Sequence, residues 1–406
     1  MHHVKSRVQR RHQPLIWLLL TALVMPFPPG DATSIPWDDA DAALCSQLDD
    51  LAFNGTLANE SVQWQVSLGP RIPESTASQE FRDTITTDLA AKGWIITQTV
   101  HERHGMNLTN VEARWVSSEP QYGQVVLSAH YDSRNIADRD LNETNQTLPV
   151  PGANDGASGT AVLLEMARHI PNMSLPYDVV LFWNDAEDQN SNYTVGAEAW
   201  AENLSETEVA TTESFVLLDM VGDADLQLQN IMPGNDTLKQ RIVKLGQSLG
   251  MVNGSADCNG AVGSDIIQYD VEVHVLDDHV HPHELNIPSI DIMDPVYGEE
   301  KTWSFGTLWH TMEDTPDKVS AESLGSVGQL VELGLRTNAF VGIIEPSSQT
   351  ETNEGEGTEV NQSEGAEVEP SSSDDNSGSP RLTLLASVAL GTVLLGLIIA
   401  EWKLRP

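Results

Sequence analysis

Cysteine is nearly absent from this 406-residue chain: Cys45 and Cys258 are the only two. That is too few for a disulfide scaffold, and their spacing does not suit a thiolate metal site. One bridge between them is left open. Basic residues are scarce too, 21 Lys and Arg against 60 Asp and Glu, for a formal charge of -39. A field of that sign repels phosphate backbones, which excludes nucleic acid as a partner and leaves a solvated acidic coat as the plain reading. The interior has no internal repeat and no long apolar run; such runs occur only near the two ends.

At the start, Lys5, Arg7, Arg10 and Arg11 precede an apolar stretch broken by Pro26 and then small residues up to Ser34. This is the layout of a secretory signal over residues 1–34. At the other end, residues 382–400 are uncharged and long enough to cross a bilayer core of roughly 30 Å. Lys403 and Arg405 follow, so residues 381–406 read as a transmembrane helix with a short basic tail on the cytoplasmic side. A sorting tail removed after export is the alternative. Residues 346–380, rich in Glu and Ser and free of Lys and Arg, cannot bury a core and read as a disordered acidic stalk. The expected protein is a single-pass one at the cell membrane with its catalytic domain outside. Asn-x-Ser/Thr sites from Asn54 to Asn361 fit a glycosylated exterior.

Residues 35–345 remain for the globular part. Short apolar runs at 124–129, 178–183, 215–218 and 288–293 read as buried strands separated by helical patterns. The expected fold is a three-layer α/β sandwich: a central, mostly parallel mixed sheet flanked by helices. Asp155 falls where the N-cap of a helix would be. Polar residues stand just past the strand ends, where α/β folds gather their sites: His130, the pair Glu187 and Asp188, and Asp219. Imidazole and carboxylate are the ligand set of a catalytic zinc. Asp132, two residues after His130, either lies behind it and orients its ring or faces solvent with it at the strand end. Of two adjacent carboxylates, one can bind metal while the other moves a proton. His279, His281 and His283 flank Pro282 and read as a polar pocket wall, and Trp309 beside His310 as an apolar one.

Six blocks in order, SAHYDSR from 128, PGANDGASGTAVLLE from 151, NDAED from 184, LLDMVG from 217, DDHVHPHELNIPSIDI from 277 and WHTMEDTPDKV from 309, resemble the family of zinc-dependent aminopeptidases and glutaminyl cyclases. The resemblance implies Asp155, Asp188 and His310 as zinc ligands and Glu187 as proton carrier. It also implies His130 and Asp219 as ligands of a second metal, bridged by Asp155. Asp277 and Trp309 match cyclase pocket residues, and Asp219 and Asp277 would form a hydrogen-bonded carboxylate pair beside Glu187. The chain departs from the cyclases in lacking a tryptophan after the paired carboxylates, and from many relatives in having Asp rather than Glu at position 188.

Three functions follow, all directed at peptides or proteins with a free N-terminus. A glutaminyl-peptide cyclotransferase would use one zinc, a metallo-aminopeptidase two, and an inactive surface binding module would keep only the fold.

Overall fold

A computed structural model describes residues 37–343 apart from positions 38 and 303. The signal, the stalk and the C-terminal anchor expected from the sequence lie outside the described residues. Among the described residues no helix is long and apolar enough to cross a membrane.

Among the described residues there are ten strands: β1 (Ile95–Arg103), β2 (Met106–Trp115), β3 (Gln124–His130), β4 (Asp178–Asn184), β5 (Asp188–Gln189), β6 (Asn192–Tyr193), β7 (Thr212–Asp219), β8 (Leu228–Met232), β9 (Ile267–His274) and β10 (Ser289–Met293). Six form the central sheet in the order β1-β2-β4-β3-β7-β10. The β4-β3, β3-β7 and β7-β10 pairings are parallel, and β1-β2 and β2-β4 antiparallel. The apolar runs read as strands are the four parallel ones. They are almost wholly buried, as strands covered on both faces must be. The mostly exposed β1 closes one edge, joined to β2 through His104 and Gly105, both at positive φ as a tight hairpin requires.

The helices are α1 (Asp41–Cys45), α2 (Gly55–Ser67), α3 (Thr76–Ala91), α4 (Ala157–His169), α5 (Val195–Asn203), α6 (Glu206–Thr211), α7 (Asp236–Ser248), α8 (Val280–Glu284) and α9 (Ala321–Arg336). Alternation along the strands divides them between two faces. Val125 and Leu127 of β3, Leu181 and Trp183 of β4 and Val216 and Leu218 of β7 share a core with apolar residues of α2, α3, α4, α7 and α9. Val126, Val180, Phe182, Phe215 and Leu217 point the other way, onto Trp200 of α5, Val209 of α6 and Leu285 beyond α8. The three layers expected from the sequence are therefore present.

Cys45 and Cys258 are paired, with Cα atoms 5.5 Å apart, tying α1 to the loop after α7. Asn235, in one of the Asn-x-Thr triplets, is buried and its side chain accepts from the Leu238 amide as the cap of α7.

One local expectation fails. Asp155 does not cap α4: the cap position is Gly156 at φ 94°, with no side-chain cap, and this turn frees the Asp155 carboxylate for other partners. A Cβ on Gly156 would lie 2.3 Å from the Asp132 carbonyl oxygen, so only glycine fits. One turn on, a Cβ on Gly159 would meet the Leu218 carbonyl oxygen at 2.0 Å, so α4 lies directly against the backbone of β7 beside Asp219. Gly159→Ala is expected to lower stability by roughly 1–3 kcal/mol through overpacking; a urea unfolding midpoint equal to the parent's would refute this contact.

Candidate metal centre and active site

Because the parallel strands all end at one edge, their last residues converge. His130 ends β3, Asp219 ends β7, and the connection after β4 carries Glu187 and leads into Asp188, the first residue of β5. Register fixes the level: His130 lies opposite Asn184, and Asp219 opposite Met293. Three non-glycine residues with positive φ stand at the convergence, Ala186 (60°), Met220 (46°) and His310 (57°). Strained backbone of this kind persists only where the surroundings over-determine it.

Two ligand groups share one carboxylate. The His130 Nε2 lies 3.2 Å from Asp155 Oδ1 and 3.2 Å from Asp219 Oδ1. The His310 Nε2 lies 3.5 Å from Asp155 Oδ2 and 2.7 Å from Asp188 Oδ2. Asp155 thus turns one oxygen toward each histidine. All five side chains are buried. Asp155 Oδ2 and Asp188 Oδ2 have no hydrogen-bond donor, although each faces an imidazole nitrogen. Oxygens left in that state are costly unless a cation satisfies them. Two carboxylates and an imidazole in each group suit zinc, and the residues present fit it.

The surroundings set the tautomers. Asp132 Oδ1 stands 3.3 Å from His130 Nδ1, leaving Nε2 for the interior. Asp132 is itself held by the amides of Glu187 (3.0 Å) and Asp188 (3.2 Å) and by Gln189 Nε2 (2.8 Å), so one carboxylate orients a ligand and shapes the β4 loop together. Asp314 accepts from the amides of Asn154 (2.8 Å) and Asp155 (3.3 Å) and from Tyr297 Oη (2.8 Å). Arg71, from the N-terminal segment, donates to the carbonyls of Tyr131, Pro151 and Gly152 and so clamps the two ligand loops from below.

Burial works against charge throughout. It would lower His130, but bonding to Asp132, Asp155 and Asp219 carries that imidazole well above its ordinary pKa, so without metal a proton takes the cation's place. Burial followed by the neighbouring Asp188 lifts Glu187 well above the carboxylate range. Burial, then Asp291 and Asp219, do the same to Asp277. Burial also pushes Asp314 up to about 7, with Asp155 adding to it.

A cleft of about 240 Å³ opens over this centre, lined by the polar groups of Asp155, Glu187, Asp188, Asp219, Asp277 and His310 and by the larger side chains of Tyr193, Val275, Met293, Phe305 and Trp309. Trp309 stacks on the His310 ring, with centroids 3.4 Å apart. Tyr193, on the β5-β6 hairpin, puts an aromatic ring on the loop that lacks the cyclase tryptophan.

Two expectations change. Asp277 is grouped with Asp291 and His279, with one ligand atom of each within 4.8 Å of the others, whereas Asp219 is engaged by His130. The histidine wall is also absent from the cleft. His279 is fully buried behind Asp277, its Nε2 on the Pro233 carbonyl (2.9 Å) and its Nδ1 3.7 Å from Asp291, while His281 pairs with Thr194 Oγ1 (2.8 Å). Sequence reasoning passed over Asp291, Arg71, Arg134, Asp138 and Asp314. Only Asp291 had a local signal, a lone acid within an apolar strand.

Comparison with known proteins agrees with this geometry. The chain is similar to Aminopeptidase YwaD of Bacillus subtilis, 29% identical over 207 residues, which is 51% of this chain and 39% of that protein. It is also similar to a probable zinc metalloprotease of Pyrenophora tritici-repentis, 31% identical over 119 residues, 29% of this chain and 23% of the other. It spans well under half the length of these curated relatives. Among solved structures, a glutaminyl cyclase of Tannerella forsythia matches with TM-score 0.60 and 25% identity, over 72% of this chain and 100% of that one. A Zn-dependent exopeptidase of Parabacteroides distasonis matches with TM-score 0.59 and 26% identity, over 71% and 99%. The profile described as Peptidase family M28 matches residues 110–333, more than half of the sequence and inclusive of every ligand-type residue above, and the chain belongs to that zinc-dependent family.

Proposed function

We propose that the protein is a glutaminyl-peptide cyclotransferase, converting N-terminal glutamine of peptides to pyroglutamate with release of ammonia. The observation that carries this reading is Asp277, a buried carboxyl in the same cleft as Glu187, with a second buried carboxyl, Asp291, offering an oxygen within 4.8 Å of it. Two buried carboxyls that near disfavour a second negative charge, so one of them is held protonated.

Zinc, held by Asp155, Asp188 and His310, would polarise the γ-carbonyl of the bound glutamine. Glu187 takes a proton from the substrate's α-amine as the amine attacks that carbonyl, then returns it to the departing nitrogen, which leaves as ammonia. Asp277 accepts the remaining amine N–H and keeps the nucleophile aimed at the carbonyl. Phe305, Trp309, Val275 and Met293 wall the cleft with apolar surface and limit access of water, whose attack would give glutamate instead. The volume suits one side chain rather than a long segment of peptide.

A second reading, a two-zinc aminopeptidase, is favoured by Asp155, whose two oxygens face His130 and His310 separately. Glu187 would then take its proton from an attacking water. Export is part of the proposal and is supported by the Cys45–Cys258 bridge, a bond that persists in oxidising surroundings.

Incubation with a glutamine-initiated peptide is expected to release ammonia and leave a pyroglutamyl product. A free N-terminal residue together with two zincs per chain would replace this reading with the second. Glu187→Gln is expected to retain zinc and lose at least about a hundredfold in rate; a rate within a few-fold of the parent's would remove Glu187 from its role. His310→Ala is expected to lose zinc from the Asp155 and Asp188 group, and metal analysis after dialysis showing full occupancy would contradict the ligand assignment.

A further inference from the structure

Arg134 is almost completely buried, yet none of the chemistry above uses it. Its guanidinium grips Asp138 in a fork, Nε to Oδ1 at 2.8 Å and Nη2 to Oδ2 at 3.0 Å. The third nitrogen, Nη1, bonds Asp188 Oδ1, and Nη2 also donates to the Asn190 carbonyl at 3.1 Å. The face of the guanidinium covers the Tyr193 ring at 5.5 Å. Both carboxylates lead to one metal group. Asp188 offers its other oxygen, Oδ2, toward His310 Nε2, and Asp138 Oδ1 stands 3.5 Å from His310 Nδ1, a buried nitrogen that has no hydrogen-bond partner and faces this carboxylate across an ion-pair distance.

The two buried arginines of the site differ in kind. Arg71 spends its side-chain donors on backbone carbonyls, as a loop clamp does. Arg134 spends most of its donors on the two side chains that flank His310. The segment around it adds further holds: the Arg139 amide donates to the His310 carbonyl at 3.2 Å, and Asp140 accepts from the Met312 amide at 3.0 Å. His310 needs such holds because it sits at φ 57°.

We infer that Arg134 is the positioning residue of the Asp188 and His310 arm of the zinc centre. It occupies one oxygen of Asp188 so that only the other faces the ion, and it fixes Asp138 behind His310. Lysine cannot replace it, because an ammonium is a point donor and these acceptors require a planar fork. The same side chain anchors the β5-β6 hairpin, so the aromatic wall of the cleft moves with the metal ligand. This inference rests on Asp188 and His310 binding zinc, and it holds for cyclase and peptidase alike.

The test is zinc affinity by chelator competition, together with the visible spectrum of the cobalt-substituted protein, for the parent, Arg134→Lys, Arg134→Gln and Asp138→Asn. Asp138 is partly exposed, so its variant preserves the test if the arginine variants do not fold. Arg134→Lys and Arg134→Gln should each weaken zinc binding roughly 10- to 100-fold, and Asp138→Asn about tenfold, all with an altered cobalt spectrum. Folded variants with zinc affinity within twofold of the parent and its unchanged cobalt spectrum would overturn the inference, even if they melt earlier. A parent that binds no zinc would instead bring down the metal centre itself, and this inference with it.

Discussion

The structure turns on an imbalance of buried charge. At one edge of the sheet, Asp155, Asp188, Asp219, Asp277 and Asp291 lie buried with Glu187 beside them, and the cations facing them are few. Such a cluster is stable only if each negative charge is neutralised by a proton, a fixed cation or a metal ion. The fold uses all three routes. Without a metal, protons are held on Glu187, Asp277 and His130; arginines are inserted at Arg71 and Arg134; and the carboxylate-imidazole groups around His130 and His310 can take zinc in place of protons. Much of the architecture around the site, from the Asp132 hub to the Asp314 bridge, holds the loops that carry these groups.

This imbalance explains why two reactions remain close on one frame. Both need a carbonyl polarised at the Asp155, Asp188 and His310 group and a carboxylate that shuttles a proton. They differ in whether the nucleophile is the substrate's own amine or water. Asp277 with Asp291 and the apolar wall favour the amine. Asp155, poised between both imidazoles, keeps the machinery for water.

The parallel strands were legible because buried strands need continuous apolar runs, and His130, Asp219 and the pair Glu187 and Asp188 because polar residues follow those runs, whereas Asp155 and His310 were marked as ligands only by the resemblance of their blocks. Asp155 was misread as a helix cap, since sequence spacing says nothing of the positive φ that Gly156 supplies. Arg134, Asp138 and Asp314 sit on loops without periodicity, and their roles arise from contacts between segments far apart in sequence. The histidine cluster misled in the opposite sense. Its tight spacing suggested a common task, but a short helix sends His279 into the interior and His281 onto Thr194.

The left-handed residues at the site also carry a consequence for drift. Ala186, Met220 and His310 each pay for a backbone shape that a β-branched side chain would make prohibitive. Ala186 and Met220 touch the reaction only through their neighbours, yet their left-handed backbone favours glycine, asparagine or aspartate and disfavours β-branched residues. Sequence change at these two positions is therefore filtered by backbone shape, although neither carries chemistry of its own.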